Sequence, residues 1–455
     1  MHSGDDRNRR HARTDRRDER GAWYRLDNAA IIMPAVTDRR GSSLFRLWAE
    51  LDSPVVLSAL RRALVEASAR FPFFNVELRR GFFWYYLEPR DEPPRVYDDL
   101  GPPCMAWDIR RRGTPMYRVR ARGSTVACEM SHVIADGFGG AEFFKALLSA
   151  YARAVAGMDE RPADADYDAE GRPAGPARDA RRPDDPELYE DAYHRYYRPG
   201  IPKPDRLPLV YHSASRLIKP DRYRVLSGEL DLAAVRAAAK ARGASVTEFL
   251  AGVYLESLLR LREAEAAGGA PVRPLVSLEI PVNLRKHFPS RSCRNFSLFL
   301  LPTVDARLGP WTLEELIERI RLYMAMENRP RSFLRHLSRN AGGGRRLAVR
   351  LVPLFIKNVF ARIFFYSLGE GLITSFISNL GPLEPGAEAG RIVRRVGFVG
   401  APSALIKTHA SVVSYGGALT ISFGSLARSR ELERLFFSRL AELGLRARIS
   451  RYDGG

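Results

Sequence analysis

A chain of 455 residues has the length of two or three domains, or of two large ones sharing an interface, and can bury a sizeable core. Hydrophobic residues make up 45% and charged residues 27%, an ordinary globular composition that excludes wholesale disorder and a membrane channel. The net charge of +19, carried almost wholly by arginine, points to a nucleic acid, an anionic lipid or a phosphate-bearing cofactor, or to nothing beyond an arginine-rich composition.

Residues 1–20 contain no apolar h-region, so Arg9 and Arg10 make no secretion signal and the segment reads as a solvated, disordered tail. Residues 43–50, "SLFRLWAE", read as a strand. Ser53 as N-cap and Pro54 at the first helical position then start a helix whose Leu57, Leu60 and Leu64 share one face. The stretch "FPFFNVELRRGFFWYYLEP" reads as an aromatic hairpin turning at Gly81. In "MYRVRARGSTVACEMS", Tyr117, Val119 and Ala121 alternate with Arg118, Arg120 and Arg122, the period of a strand with one wet face. Gly123 and Ser124 turn the chain into a second strand that runs to Ser131, and a helix follows from about Gly139 to Ala154.

From Asp159 to Pro208 the pattern dissolves into Pro, Asp, Ala and Arg, the composition of a linker, with helix only near "PELYEDAYHRYY". Beyond it, Tyr223–Leu232 reads as a strand and Ala233–Ala241 as a helix. "SVTEFLAGVYLESLLRL" is a second helix, opened by a capping box of Ser245 and Glu248. "PLVSLEIPVNLR" and "FSLFLLPTV" are strands, and Trp311–Glu327 is a helix. Segment 328–369 is basic and mostly helical. Within it, Leu347–Leu368 is long enough to span a bilayer, but Arg350, Pro353, Lys357 and Arg362 interrupt it. An ionised side chain at the bilayer centre costs roughly 3 kcal/mol, so a buried or interfacial helix is expected. Strands then cover "ITSFISNLG", "VRRVGFVG", "LIKTHASVVSY" and "ALTISFG", before a last helix from Glu431 to about Leu443. The chain thus divides into the tail (1–20), an N-terminal lobe (21–158), an inter-lobe linker (159–208) and a C-terminal lobe (209–455).

The chemistry concentrates in "CEMSHVIADGFGG". His132 stands where a strand ends and a helix begins, and histidine alone is neutral near pH 7 without a large pKa shift, as a general base must be. Gly137 suits a tight turn, and the following helix presents unpaired N–H groups to developing negative charge. Asp136 has two readings, orienting the imidazole as in a triad or turning away to hold the turn through an arginine, and spacing leaves both open. A histidine that merely caps a strand is the alternative for an isolated H-x-x-x-D-G, which recurs by chance. Cys104, Cys128 and Cys293 form no C-x-x-C pair, so no disulfide framework and no metal site is expected and a cytoplasmic location fits. Cys128 has no adjacent base and reads as a small core residue.

"SHVIADG" resembles the H-x-x-x-D-G signature of the acyl-CoA-dependent acyltransferase superfamily, which includes chloramphenicol acetyltransferase and the condensation domains of peptide synthetases. "YRLDNAA", "FPFFNVELRRG", "SVTEFLAGVYLESL", "PVNLRKHFPSRSCRNFSLFL", "LVPLFIKNVF" and "SFISNLGPLEPG" are similar, in order, to its other segments, most closely in bacterial alcohol acetyltransferase-like proteins. Ser131 replaces the first histidine of the family's double-histidine form, and the catalytic second one falls at His132. The resemblance implies an α/β fold of mixed sheets, in which two chloramphenicol-acetyltransferase-like lobes form a V with a central tunnel. It implies transfer of an acyl group, acetyl in the first instance, from acyl-CoA (acetyl-CoA) as co-substrate to an alcohol-type acceptor, small or lipid-like, with no permanently bound cofactor. Asp136 matches the aspartate that pairs with an arginine, for which Arg285 is the candidate. Gly137 would leave room in the tunnel, and Ser378 and Asn379 would either serve the oxyanion or acyl site or form a structural turn.

Of the other histidines, His2 and His11 fall in the tail, His194 and His212 in the linker and its exit, and His287 and His336 among exposed basic residues. His409 is the rival base. Segment 328–369 holds nine Arg or Lys and no acidic residue, which suits coenzyme A phosphates, peripheral membrane contact or a solvated face. Two other functions remain in view. One is an amide-forming, condensation-type or N-acyltransferase fed by a carrier-protein thioester. The other is a non-catalytic basic binder of membrane or nucleic acid, although no module for nucleic acid is found and none is expected as partner.

Overall fold

The computed structural model describes residues 23–38, 41–105, 107–157, 185–205, 207–343 and 347–452. The expected tail and residues 159–184 of the expected linker lie outside them. In chain order the described strands are β1 (Tyr24–Arg25), β2 (Leu44–Leu51), β3 (Val76–Arg80), β4 (Tyr85–Pro89), β5 (Val96–Asp98), β6 (Tyr117–Arg122), β7 (Thr125–Ser131) and β8 (Arg224–Asp231). They continue with β9 (Leu275–Asn283), β10 (Ser297–Leu300), β11 (Thr303–Asp305), β12 (Ser375–Pro382), β13 (Val393–Val399), β14 (Thr408–Tyr415), β15 (Ala418–Ser425) and β16 (Arg448–Tyr452).

A five-stranded sheet has the order β13-β2-β7-β6-β5, and an eight-stranded sheet the order β10-β9-β12-β14-β15-β8-β16, with β11 also on β9. A third, small sheet is β1-β4-β3. Both larger sheets are mixed: β5–β6, β9–β12 and β12–β14 pair parallel, the other strands antiparallel. The five-stranded sheet takes its edge strand β13 from late in the chain. There Gly397 lies opposite Trp48, and a Cβ on it would stand 2.1 Å from the indole, so no larger residue fits the crossover.

Each large sheet packs helices on a core of its own. Helices Leu57–Arg70 and Gly137–Ala156 cover the first, and Val246–Ala267, Leu313–Glu327 and Glu431–Glu442 the second. Helix Val246–Ala267 opens with the capping box expected of Ser245 and Glu248, and Leu313–Glu327 with a second one, made by Thr312 and Glu315. The first helix departs from expectation. It begins at Leu57, because Val55 N–H is spent on Gly123 O and Val56 N–H on the Tyr151 hydroxyl, so neither Ser53 nor Pro54 caps it. Leu57 is exposed, and Ala59, Leu60, Ala63, Leu64 and Ala67 form the buried face.

The arginines of β6 are a second departure. Arg120 is buried and Arg118 nearly so, because β6 is covered on that side by charge rather than water. Glu129, fully buried on β7, accepts from Arg118, Arg120 and Arg46, while Asp99 pairs with Arg46 and Arg120. "FSLFLLPTV" splits into β10 and β11, Pro302 being unable to donate to a ladder. Segment 347–368 is broken at Pro353 into Leu347–Arg350 and Leu354–Phe364, and no described helix is long and apolar enough to cross a membrane. The pairing of β16 on β8 was not anticipated.

Candidate active site

His132 is the first residue after β7. Its N–H donates to Ser43 O at 2.8 Å, and the hydroxyls of Ser43 and Ser131 lie 2.8 Å apart, so the turn is tied to the residue that leads into β2. The ring is half-buried, with the Phe45 ring 4.8 Å away. Asn295 faces it from the other half of the chain. Both amide protons of Asn295 are committed, to Asp27 Oδ2 at 2.9 Å and to His132 O at 2.8 Å, which turns its Oδ1 towards His132 Nδ1 at 3.5 Å. An amide oxygen only accepts, so this orientation of Asn295 favours the tautomer with the proton on Nδ1 and the lone pair on Nε2. Burial pushes the His132 pKa below its ordinary value, against the pull of Asp136, Asn295 and Asp27, so the ring is neutral at pH 7.

Asp27 anchors this arrangement from a fully buried position. Its Oδ1 accepts Ala30 N–H at 2.8 Å, and its Oδ2 faces Arg294 Nε at 3.5 Å. Burial raises its pKa to about 6, against the pull of Arg294. Sequence reading assigned no role to Asp27 or Asn295, although both lie in segments of the family resemblance. No local spacing joins them, since they stand 268 residues apart.

Asp136 is the N-cap of helix Gly137–Ala156. Its Oδ1 accepts Gly139 N–H at 3.1 Å, and its Oδ2 accepts Phe296 N–H and Arg285 Nη1, both at 2.8 Å. Of its two readings, the geometry is the arginine-held turn. Arg285 also donates to Ser292 O, Arg294 O and Asn283 Oδ1, and lies over the Phe138 ring at 4.4 Å. It therefore clamps the loop carrying Asn295 onto the helix that follows His132.

A Cβ on Gly137 would come within 2.6 Å of Leu380 Cδ2 on β12. The tighter position is Gly139, where a Cβ would stand 1.8 Å from Cys293 O, backbone against backbone. Ser378 and Asn379 separate. Side chains alternate along a strand, so Ser378 faces away from the side on which Asn379 meets Thr247, and it is half-buried there, just before the register shift of β12 between Asn379 and Pro382. Asn379 faces the opposite way, donating to Thr247 Oγ1 at 3.0 Å and accepting Gly381 N–H at 2.8 Å, a structural turn.

The rival base is a core residue. His409 is fully buried, stacked on Phe376 at 4.2 Å with Nε2 3.1 Å from the Tyr223 hydroxyl, and burial pushes its pKa down to about 3. His287 and His336 are half-buried rather than exposed, because His287 bonds Asn328 and packs on Phe333 while His336 lies in the helix that covers β10. Cys128 is buried and its thiol pKa driven up by burial. Among the described residues no group of three His, Cys, Asp or Glu is placed to hold a metal ion.

No protein-family model matches the sequence, and no curated protein sequence does. Solved structures do. TRI101 of F. sporotrichioides, complexed with coenzyme A and T-2, superposes with a TM-score of 0.58 at 12% identity, over 93% of this chain and 99% of that. The TRI3 trichothecene 15-O-acetyltransferase of Fusarium sporotrichioides gives 0.57 at 12% identity, over 93% of this chain and 94% of that. The first condensation domain of the CDA synthetase gives 0.53 at 15% identity, over 92% and 96%. The chain has the two-lobed fold of condensation domains and chloramphenicol-acetyltransferase-like acyltransferases. In this condensation-like fold the two sheets are the lobe cores, and the pairs Asp27–Asn295 and Asp136–Arg285 bridge the lobes beside His132.

Proposed function

We propose that the chain is an acyltransferase that moves an acyl group, acetyl in the simplest case, from a coenzyme A thioester to the hydroxyl of an alcohol-type acceptor, with His132 as general base. The observation that carries this reading is the neutral imidazole at the lobe junction, its Nδ1 directed at Asn295 and its Nε2 left to accept a proton. The acceptor oxygen would bond to the thioester carbonyl carbon as its proton passes to Nε2. The tetrahedral adduct then expels the thiolate, the C–S bond breaks, and Nε2 returns the proton to sulfur. No covalent enzyme intermediate is needed. Base assistance of this kind contributes about 10² to 10⁴ in rate, with the remainder from positioning and oxyanion stabilisation, for which Ser378 on β12 is the candidate donor.

Substrates would reach Nε2 through a tunnel between the lobes, and the basic segment 328–369 would draw the coenzyme A phosphates or an anionic membrane. A cytoplasmic enzyme, peripheral to a membrane, fits this reading. The likeness to a condensation domain supports one rival, an amide-forming enzyme fed by a carrier-protein thioester.

One experiment addresses both. Thioesters of graded chain length, on coenzyme A and on a carrier protein, are offered with pooled alcohols and amines, and free thiol and product are measured. Ester formation from coenzyme A is the expected result, with a loss of at least about 10² in His132→Ala at unchanged circular dichroism. Full turnover in that variant overturns the role of His132, and amide from the carrier alone selects the rival.

A further inference from the structure

Helix Leu354–Phe364 is amphipathic in the inverted sense. Lys357 and Asn358 turn inward, Lys357 Nζ donating to Phe83 O at 2.9 Å and Asn358 Nδ2 to the Tyr85 hydroxyl at 3.0 Å, while Arg362 stays exposed at the edge with its Nε on Ala35 O at 2.6 Å. Its apolar residues turn outward. Phe355, Val359, Phe360, Ile363 and Phe364 are each more than half exposed, and at 100° per residue they cover about half the circumference. The tip of the β3–β4 hairpin extends this face. Leu354 N–H donates to Phe82 O at 2.9 Å, and Phe82 is 69% and Trp84 50% exposed. Isolated exposed apolar residues are ordinary, but a contiguous aromatic face of this size marks an interaction site.

Charge identifies what covers it. Two exposed cations adjoin the face, Arg362 on the helix itself and Arg350, whose carbonyl accepts from Lys357 Nζ at 3.1 Å, and the sequence of segment 328–369 has nine Arg or Lys and no Asp or Glu. An apolar aromatic face flanked by cations is complementary to a bilayer with anionic headgroups. We propose that this helix and the hairpin tip dock the chain on an anionic membrane, and that the acceptor is a hydrophobic alcohol dissolved in that membrane.

The second half of the proposal rests on the acyl-transfer reading of His132, and connectivity supports it. The docking helix packs on segment 30–36, whose first N–H is held by Asp27, and Asp27 holds Asn295 against His132. In the other direction the chain runs from the helix through 365–372 into β12, which carries Ser378 and Leu380. Both neighbours of the site are thus attached to the docking face.

Flotation of the full chain with phosphatidylcholine vesicles, with and without phosphatidylglycerol, tests the docking. Binding is expected with phosphatidylglycerol and at least about tenfold weaker without it. The double substitution Phe355→Ser, Phe360→Ser should lower binding at least about tenfold, while leaving thiol release with a water-soluble alcohol unchanged. No flotation of the unaltered chain, equal flotation of the double variant, or a dimer through these phenylalanines in place of vesicle binding overturns the docking. Turnover of a long-chain alcohol should rise when it is presented in phosphatidylglycerol vesicles; flotation without that rise overturns the membrane-dissolved acceptor. Loss of the His132 role would leave flotation intact, so the two failures are distinguishable.

Discussion

An imidazole acts as a base only through the nitrogen that carries no proton, and at His132 that choice falls to Asn295, which Asp27 and the His132 carbonyl hold in one orientation. The acid limb of kcat/KM should therefore reflect a histidine pKa below the ordinary 6.5, since burial disfavours the imidazolium. Activity should stay level as pH falls towards that ordinary value and drop only below it. Asn295→Ala removes an acceptor that favours the charged ring, so the limb should move to still lower pH while kcat falls about 10- to 100-fold as the tautomer is released. Asp27, its own pKa raised to about 6 by burial, is losing its charge over the same range, so Asp27→Asn should move the limb the same way but by less. A pH profile of each variant checks this, because a purely structural defect lowers the rate without moving the limb. His132 and Asp136 are legible in seven consecutive residues. Asn295 and Asp27 are not, because only the closure of the lobes brings them to the ring.

At the scale of elements, hydrophobic period and capping chemistry carried most of the reading. Both ends of helix Val246–Ala267 are local events, and Ser245 with Glu248 signals the first of them. The alternation in β6 misled, because a strand with Arg at every second position looks wet unless the acids opposite are known, and Glu129 and Asp99 come from other strands and loops. The same cluster makes a prediction. Burial alone would raise the Glu129 pKa, but Arg118, Arg46 and Arg120 outweigh it and hold it below the usual carboxylate range. Its stabilising contribution is present above pH 4.5 or so and is lost as pH falls through the lower native value. Glu129→Gln removes the carboxylate that Arg118 pairs with and leaves Arg46 and Arg120 to Asp99, and should cost about 3 to 5 kcal/mol at pH 7 by denaturant unfolding. The gap between the two proteins should narrow on acidification; a gap constant from pH 7 to pH 3 would mean the ion cluster contributes nothing.

Across the whole molecule, the N-terminal half is not closed by its own chain. Its sheet ends on β13, which begins 342 residues beyond the end of its partner β2 because the second lobe is built in between, and β2 without it is an open edge. The interface adds Asp136–Arg285, Asp27–Asn295 and the Arg294 Nη2 bond to Arg25 O. Residues 21–158 expressed alone would therefore lack one edge of their sheet, leave Asp27 and Asp136 without the partners that satisfy them, and expose the ladder groups of β2 to self-association. Such a fragment should show no cooperative thermal transition and little near-ultraviolet dichroism, whereas the full chain should unfold in a single transition on heating. Two separate transitions in the full chain, or a folded monomeric fragment, would make the lobes independent. Catalytic geometry would then have to be explained without their mutual support, since the loop that carries Asn295 and Arg285 reaches His132 only across this interface.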